Sequence, residues 1–182
     1  MIDIIQNFFG ENTPAQCVGL VGTALMFISY QQKTQKKIML FQIFGITFFC
    51  VHFFMLDALT GCALNLLGVA RAAVYYHRDK EWARSKLWIA AFCAAFVIAI
   101  AFTWEGWISL FPLAAMILST FSLYITNTRL VRFLTFPCSP LWMTYNLIKG
   151  SAAGALTETL VMCSIIAAII RYDILKKSEN NK

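Results

Sequence analysis

The sequence predicts an all-α integral membrane protein with seven transmembrane helices, arranged as three, one and three. Composition is the first observation: of 182 residues, 59% are hydrophobic and only 13% charged. A soluble domain carries roughly a quarter charged residues. The second is that basic residues recur in every second loop. The third is that the two ends of the chain, residues 14–77 and 107–171, align with each other without a gap.

Length sets the number of spans. A spanning helix needs about 20 apolar residues, so seven use ~140 and leave ~40 for loops. The chain therefore reads as one membrane domain over residues 1–182, with no room for a soluble one. Residues 1–9, "MIDIIQNFF", lack a basic leader region and carry Asp3, so no cleavable signal is expected there. Sixteen phenylalanines and five tryptophans suit lipid-facing and interfacial positions.

Thr13-Pro14-Ala15-Gln16 has the form of a helix start. Thr13 can cap, Pro14 suits the first turn, and Gln16 completes a capping box. The first span then runs to Tyr30. Apolar runs place the second over 38–56, the third over 58–77 and the fourth, a linker helix, over 87–104. The fifth covers 107–125, the sixth 130–148 and the seventh 151–171. Residues 172–182 form a tail. Pro137 and Pro140 interrupt the sixth span, where each removes an internal hydrogen bond and can kink the helix. Such breaks are tolerated where they line a cavity, which marks these two prolines as candidate gating positions. Gly150 and Gly154 form a G-x-x-x-G step suited to close helix packing.

The loops fix the direction of the spans. Lys33, Lys36 and Lys37 follow the first span, and Arg78, Lys80, Arg84 and Lys86 the third. Arg129 and Arg132 follow the fifth, and Arg171, Lys176, Lys177 and Lys182 the seventh. These segments hold thirteen of the fifteen Lys and Arg residues, and the opposite side has only Lys149. Basic loops stay cytoplasmic, which puts the N-terminus outside and the C-terminus inside. The net charge of +6 is thereby assigned to topology rather than to nucleic acid. Trp104 and Trp107 mark the outer interface, Trp82 and Trp88 the inner one.

Sliding residues 20–78 onto 113–171 brings Ser29 onto Ser122, Lys36 onto Arg129, Gly61 onto Gly154 and Arg78 onto Arg171. One linker helix between two triplets makes them parallel repeats, a plan that some transporters use. The same offset places Glu158 on Asn65. Each lies four residues after a glycine, ~10 Å below the outer end of its helix at 1.5 Å per residue. Two polar groups at one depth imply a shared site between the halves. Their alternative role is interhelical hydrogen bonding, although an intramembrane acid is costly and usually functional. His52 aligns with Tyr145, and Trp142 and Asn146 lie within a turn of Tyr145. They are candidate walls of a pocket, or else interfacial and packing residues. His52 suits a proton carrier, a ligand or a satisfied packing histidine. Arg71 is expected either to snorkel to the basic side or to pair with Glu158.

No phosphate loop, paired metal motif or nucleophile–His–acid spacing occurs, so no enzyme, metal or cofactor is expected. The six cysteines lie in or beside apolar runs and read as small buried residues. His52 and His77 sit near opposite faces, which argues against one haem between them.

The stretches "SYQQKTQKK" (29–37), "VHFFMLDALTGCALNLLGVAR" (51–71) and "YNLIKGSAAGALTETL" (145–160) resemble the YgjV family of small bacterial inner-membrane proteins. That resemblance runs along nearly the whole chain and implies an inner-membrane location, with no biochemical activity to carry over. The three–one–three plan is more remotely similar to the SWEET, PQ-loop and PnuC-type transporters. Those bind small solutes between two triple-helix bundles, using residues of their second and third helices. By that resemblance Asn65 and Glu158 (third helices) and His52, Trp142, Tyr145 and Asn146 (second helices) would contact the solute. Tyr30-Gln31 stands where a PQ-loop has Pro-Gln, and Leu123-Tyr124 occupies the second position, so proline-hinged gating there is not implied. The expectation is a transporter of a small polar metabolite by alternating access, with Glu158 binding a proton or a substrate donor. The alternative is a non-transporting receptor or assembly protein on the same fold. Oligomeric state leaves no signature in the sequence.

Overall fold

The computed structural model describes residues 12–125 and 128–170, without the side chains of Tyr30, Gln35, Thr128 and Arg129. Every regular element among them is helical. The α-helices are α1 (Thr13–Tyr30), α2 (Gln35–Met55), α3 (Leu59–Tyr76), α4 (Leu87–Phe102), α5 (Leu110–Ser122), α6 (Thr128–Thr135), α7 (Cys138–Ile148) and α8 (Ala152–Ala168). Single 3-10 turns lie at Glu81–Arg84 and Trp107–Ser109. The predicted tail, 172–182, and Arg171 lie outside the described residues.

The sixth predicted span divides into α6 and α7. Thr135 ends the first piece and Pro137 stands immediately before the second. Pro140 falls in the first turn of α7, where a missing backbone N–H leaves no bond unmade. The predicted capping box at Thr13 does not form. Thr13 is already the first helical residue and the cap position falls to Asn12, whose side chain makes no cap bond, while Gln16 reaches to another helix. The G-x-x-x-G step is also not a packing face. Gly150 lies in the α7–α8 turn at φ +66, a conformation that suits glycine; only Gly154 packs.

Many polar side chains are buried and many large apolar ones exposed. Gln16, Ser29, His52, Thr60, Ser109, Thr120, Asn146 and Ser151 are all buried, while Phe27, Phe44, Phe54, Leu66, Val97, Ile98, Phe102 and Leu147 are exposed. Water disfavours such a surface, whereas hydrocarbon accepts it. Lys36–Met55 is long and apolar enough to cross a membrane by itself, and four shorter apolar helices accompany it: Thr13–Ser29, Leu87–Phe102, Trp107–Ser122 and Ala152–Ala168.

Neighbouring helices pack in two groups. α2 lies against α1 and α3; α7 lies against α5 and α8. The groups meet along two seams, α1 with α8 and α3 with α5, and α4 packs on α3 and α5. Leu64, Phe92, Phe96, Ile100 and Met116 form one apolar core where α3, α4 and α5 converge. Phe49, Phe53, Ala58 and Tyr145 form another between α2 and α7, and Trp142 touches both.

Candidate functional site

The α1–α8 seam is built from neutral polar groups. Helix α8 begins with backbone N–H groups that lack intrahelical partners. The Ser151 hydroxyl accepts from the Gly154 N–H at 3.1 Å. Gln16 supplies another cap from α1, its Oε1 accepting from the Ala153 N–H at 3.1 Å while its Nε2 donates to the Gly150 carbonyl at 2.7 Å. His52 of α2 is fully buried and joins both helices. Its Nδ1 donates to the Ala15 carbonyl and its Nε2 meets the Ser151 hydroxyl, each at 2.7 Å. Two turns deeper, the Thr23 and Thr157 hydroxyls bond to each other at 2.8 Å. Below them the helices leave a cleft past Met26, Phe27, Leu160 and Ser164, with a cavity of about 10 Å³, close to the space one water needs.

The α3–α5 seam is anchored by charge. At the end where α3 begins, the Tyr145 hydroxyl donates to Glu105 Oε2 at 2.9 Å and accepts from the Gly61 N–H at 2.8 Å. Glu105 Oε1 accepts from the Leu59 N–H and pairs with Lys149 Nζ, both at 2.9 Å. Thr60 and Ser109 share a hydroxyl bond at 3.1 Å. Deeper, the Arg71 guanidinium donates to Thr120 Oγ1 (2.6 Å), Ser119 Oγ (2.9 Å) and the Met116 carbonyl (3.1 Å). It lies 5.6 Å from the centre of the Phe96 ring.

Contacts in one seam have counterparts in the other, displaced by 93 residues in both partners. Gln16 with Ala153 corresponds to Ser109 with Thr60. Thr23 with Thr157 corresponds to Met116 with Leu64, neighbours in the apolar core. His52 ties its own group's first helix to the opposite third helix. Tyr145, 93 residues later, does the same through Glu105 and Gly61. The cleft residues Met26, Phe27 and Ser164 correspond to Ser119, Thr120 and Arg71, which fill that space in the other seam.

The sequence-predicted site residues fall on these seams and between them. Asn65 is partly buried and donates to the Gly61 carbonyl of its own helix at 2.7 Å. Glu158 is partly buried on α8, its carboxyl set beside the Ser139 hydroxyl of α7 and near Cys138. Arg71 neither snorkels nor pairs with Glu158, because the α5 backbone and hydroxyls already satisfy it. Trp142 stacks on Phe53 at 6.0 Å between ring centres and meets Tyr145 edge-on. Asn146 is 2% exposed, and its Oδ1 has no hydrogen-bond partner. That amide packs on Gly154, where any Cβ would overlap it. Phe53, 93 residues earlier, packs on Gly61 in the same way, a Cβ there coming 2.9 Å from Phe53 Cγ. Pro137 and Pro140 set the α6–α7 break that brings Ser139 to Glu158.

Four participants were missed in the sequence: Glu105, Gln16, Thr23 and Thr157. Glu105 had a signal, as an acid between two interfacial tryptophans on the side where Lys149 is the lone base. Threonines are too common in membrane helices to carry one. Among the described residues no three His, Cys, Asp or Glu side chains cluster to hold a metal.

The family model for YgjV-type proteins, described as bacterial inner membrane protein, matches residues 13–176. The chain belongs to the YgjV family. Its exposed apolar surface is thus that of a bacterial inner-membrane protein. No curated protein and no solved structure matches this YgjV-family chain.

Proposed function

We propose that this YgjV-family protein carries a small polar metabolite across the inner membrane by alternating access. In this reading seven spans form two parallel triplets, α1–α3 and α5–α8, with α4 as linker. The N-terminus is outside and the C-terminus cytoplasmic. The triplets rock against each other around a site that includes Asn65, Glu158, Trp142, Tyr145 and Asn146, and Glu158 takes up a proton or a donor group of the solute.

The observation that carries the reading is the exchange relation between the seams. Gln16–Ala153 with Ser109–Thr60, and His52 with Tyr145, are the pairs expected of two repeats facing each other across a common axis, the plan of many transporters. Glu158 supports it too, since a carboxyl within an apolar helix is costly and it is set beside a serine hydroxyl of α7. The unpartnered Asn146 Oδ1 adds an acceptor on the same helix pair.

One observation favours a non-transporting receptor or assembly protein on the same fold. His52, Gln16 and Asn65 turn their polar atoms onto the protein itself, as packing residues do.

A thermal-shift screen of polar metabolites on purified protein, followed by uptake of any hit into proteoliposomes, separates the two. Transport predicts saturable uptake that depends on the pH gradient, and Glu158→Gln should remove that dependence while leaving expression and folding intact. Asn65→Ala should weaken affinity at every pH. An unchanged pH profile in folded Glu158→Gln protein would reduce the carboxyl to helix-packing glue. Binding without uptake would favour the receptor reading.

A further inference from the structure

The basic end of the molecule holds a cavity that the proposed transport site does not use. Helix α3 ends at Tyr76, and the chain doubles back through the 3-10 turn at Glu81–Arg84. The turn is tied down by Arg84, whose Nε donates to the Arg78 carbonyl at 2.9 Å and whose terminal nitrogen donates to the Asp79 carbonyl at 3.3 Å. Arg78 in turn donates to the Leu123 carbonyl at the end of α5, at 2.9 Å. Between this turn and the start of α2 lies a half-open cavity of about 330 Å³, lined by Lys36, Tyr75, Tyr76, Arg78, Asp79 and Arg84. Its size is near the lower end for small-molecule sites, roughly 300 Å³.

Two features suit it to an anion. Lys36, Arg78 and Arg84 face one carboxylate, Asp79, which Lys36 engages at 3.3 Å; two positive charges remain in excess. Each guanidinium has five donors in a rigid fork, and the carbonyl bonds above orient each through only one or two.

We propose that this cavity binds a phosphate-bearing group, with Arg78, Arg84 and Lys36 balancing its charge. Two excess cations match a phosphate monoester dianion better than a single carboxylate, and planar guanidinium forks suit phosphate oxygens. The group has two possible sources: a soluble phosphate ester, or the headgroup of an anionic phospholipid beside the bilayer. The proposal does not depend on transport.

The test uses full-length protein, delipidated in neutral detergent. One arm titrates glycerol 3-phosphate by calorimetry. The other counts lipids retained by native mass spectrometry from nanodiscs of phosphatidic acid against phosphatidylcholine. At least one arm should show one-to-one binding, and Arg84→Gln should weaken it about tenfold or more, the loss of a charge-assisted pair. Lys36→Gln, at a half-exposed side chain that does not hold the turn, should also weaken it and guards against misfolding of the arginine variant. Lys33→Gln with Lys86→Gln removes two charges outside the cavity and should change binding less than about twofold. A soluble-arm signal assigns a metabolite phosphate, and a lipid-only signal assigns a headgroup. Failure of both arms overturns the proposal. So does a Lys33/Lys86 double variant as weak as Arg84→Gln, because the attraction would then be diffuse.

Discussion

The α1–α8 and α3–α5 seams occupy matching places between the two helix groups but use different chemistry. Where α1 meets α8, an amide, an imidazole and three hydroxyls make the bonds, no charge takes part, and a cleft runs past Ser164. Where α3 meets α5, Leu64 and Met116 replace the threonine pair and the Arg71 guanidinium fills the cleft. Helix α4 packs over this second seam, and among the described residues no helix packs over the first in that way. Two seams that differ this way resist separation unequally. A guanidinium bound to the α5 backbone resists separation, because parting the helices would strand a charge in a low-dielectric interior. Neutral hydroxyl pairs part at far smaller cost. If the triplets rock, α3–α5 is the hinge and α1–α8 the seam that opens.

The largest expected effect therefore belongs to Arg71. Arg71→Ala removes three hydrogen bonds from a charged donor and leaves a void beside Phe96; it should destabilise the protein by about 3 kcal/mol. Ser164→Ala, at the matching position, should stay within about 0.5 kcal/mol. Denaturant unfolding in detergent compares the two, and equal losses would erase the distinction between hinge and opening seam.

Next come His52 and Tyr145, the residues that tie each group to its opposite. His52→Ala leaves the Ala15 carbonyl and Ser151 hydroxyl without their imidazole and should cost about 2 kcal/mol. Tyr145→Phe keeps the ring and loses only the bonds to Glu105 and Gly61, for about 1 kcal/mol. The reverse order would place the tighter clasp at α7 and move the hinge assignment outward, to the Glu105–Lys149 pair.

Much of this architecture was legible because it rests on composition and period. Apolar runs located the helical segments, and Pro137 located the break within the sixth. The offset of 93 paired His52 with Tyr145, and each of them hydrogen-bonds from one helix group to the other. What local reading misassigned was the partner of a polar side chain. Gln16 fits a capping box by spacing, yet it caps α8, because those N–H groups have no other partner once the two helix ends meet. Arg71 was expected to seek water or an acid; the α5 carbonyl and two hydroxyls lay closer than either. Glu105 drew no reading from the sequence, since its partners Tyr145 and Lys149 lie some forty positions on and converge on it only in the fold. Partner choice is set by tertiary packing, which a single sequence does not display.

The smallest effect tests the comparison most finely. Thr23 and Thr157 bond to each other at 2.8 Å, but each hydroxyl also lies within 3.0 Å of a carbonyl one turn back on its own helix, Gly19 for Thr23 and Ala153 for Thr157. Either threonine changed to valine leaves the other hydroxyl with that local acceptor, so each single variant should cost only about 0.5 kcal/mol. The double variant should cost little more than one single, because two valines across the seam reproduce the apolar contact that Leu64 and Met116 already make in its counterpart. The cycle should thus give a coupling of about 0.4 kcal/mol, close to the ~0.6 usual for a hydrogen bond between membrane helices. Strict additivity would mean that the threonines act through their own helices and that the α1–α8 seam is held from one end alone, by Gln16, His52 and Ser151. A coupling several times larger would mean that the seam is clasped at mid-depth as firmly as the other, and the opening would then have to be sought elsewhere.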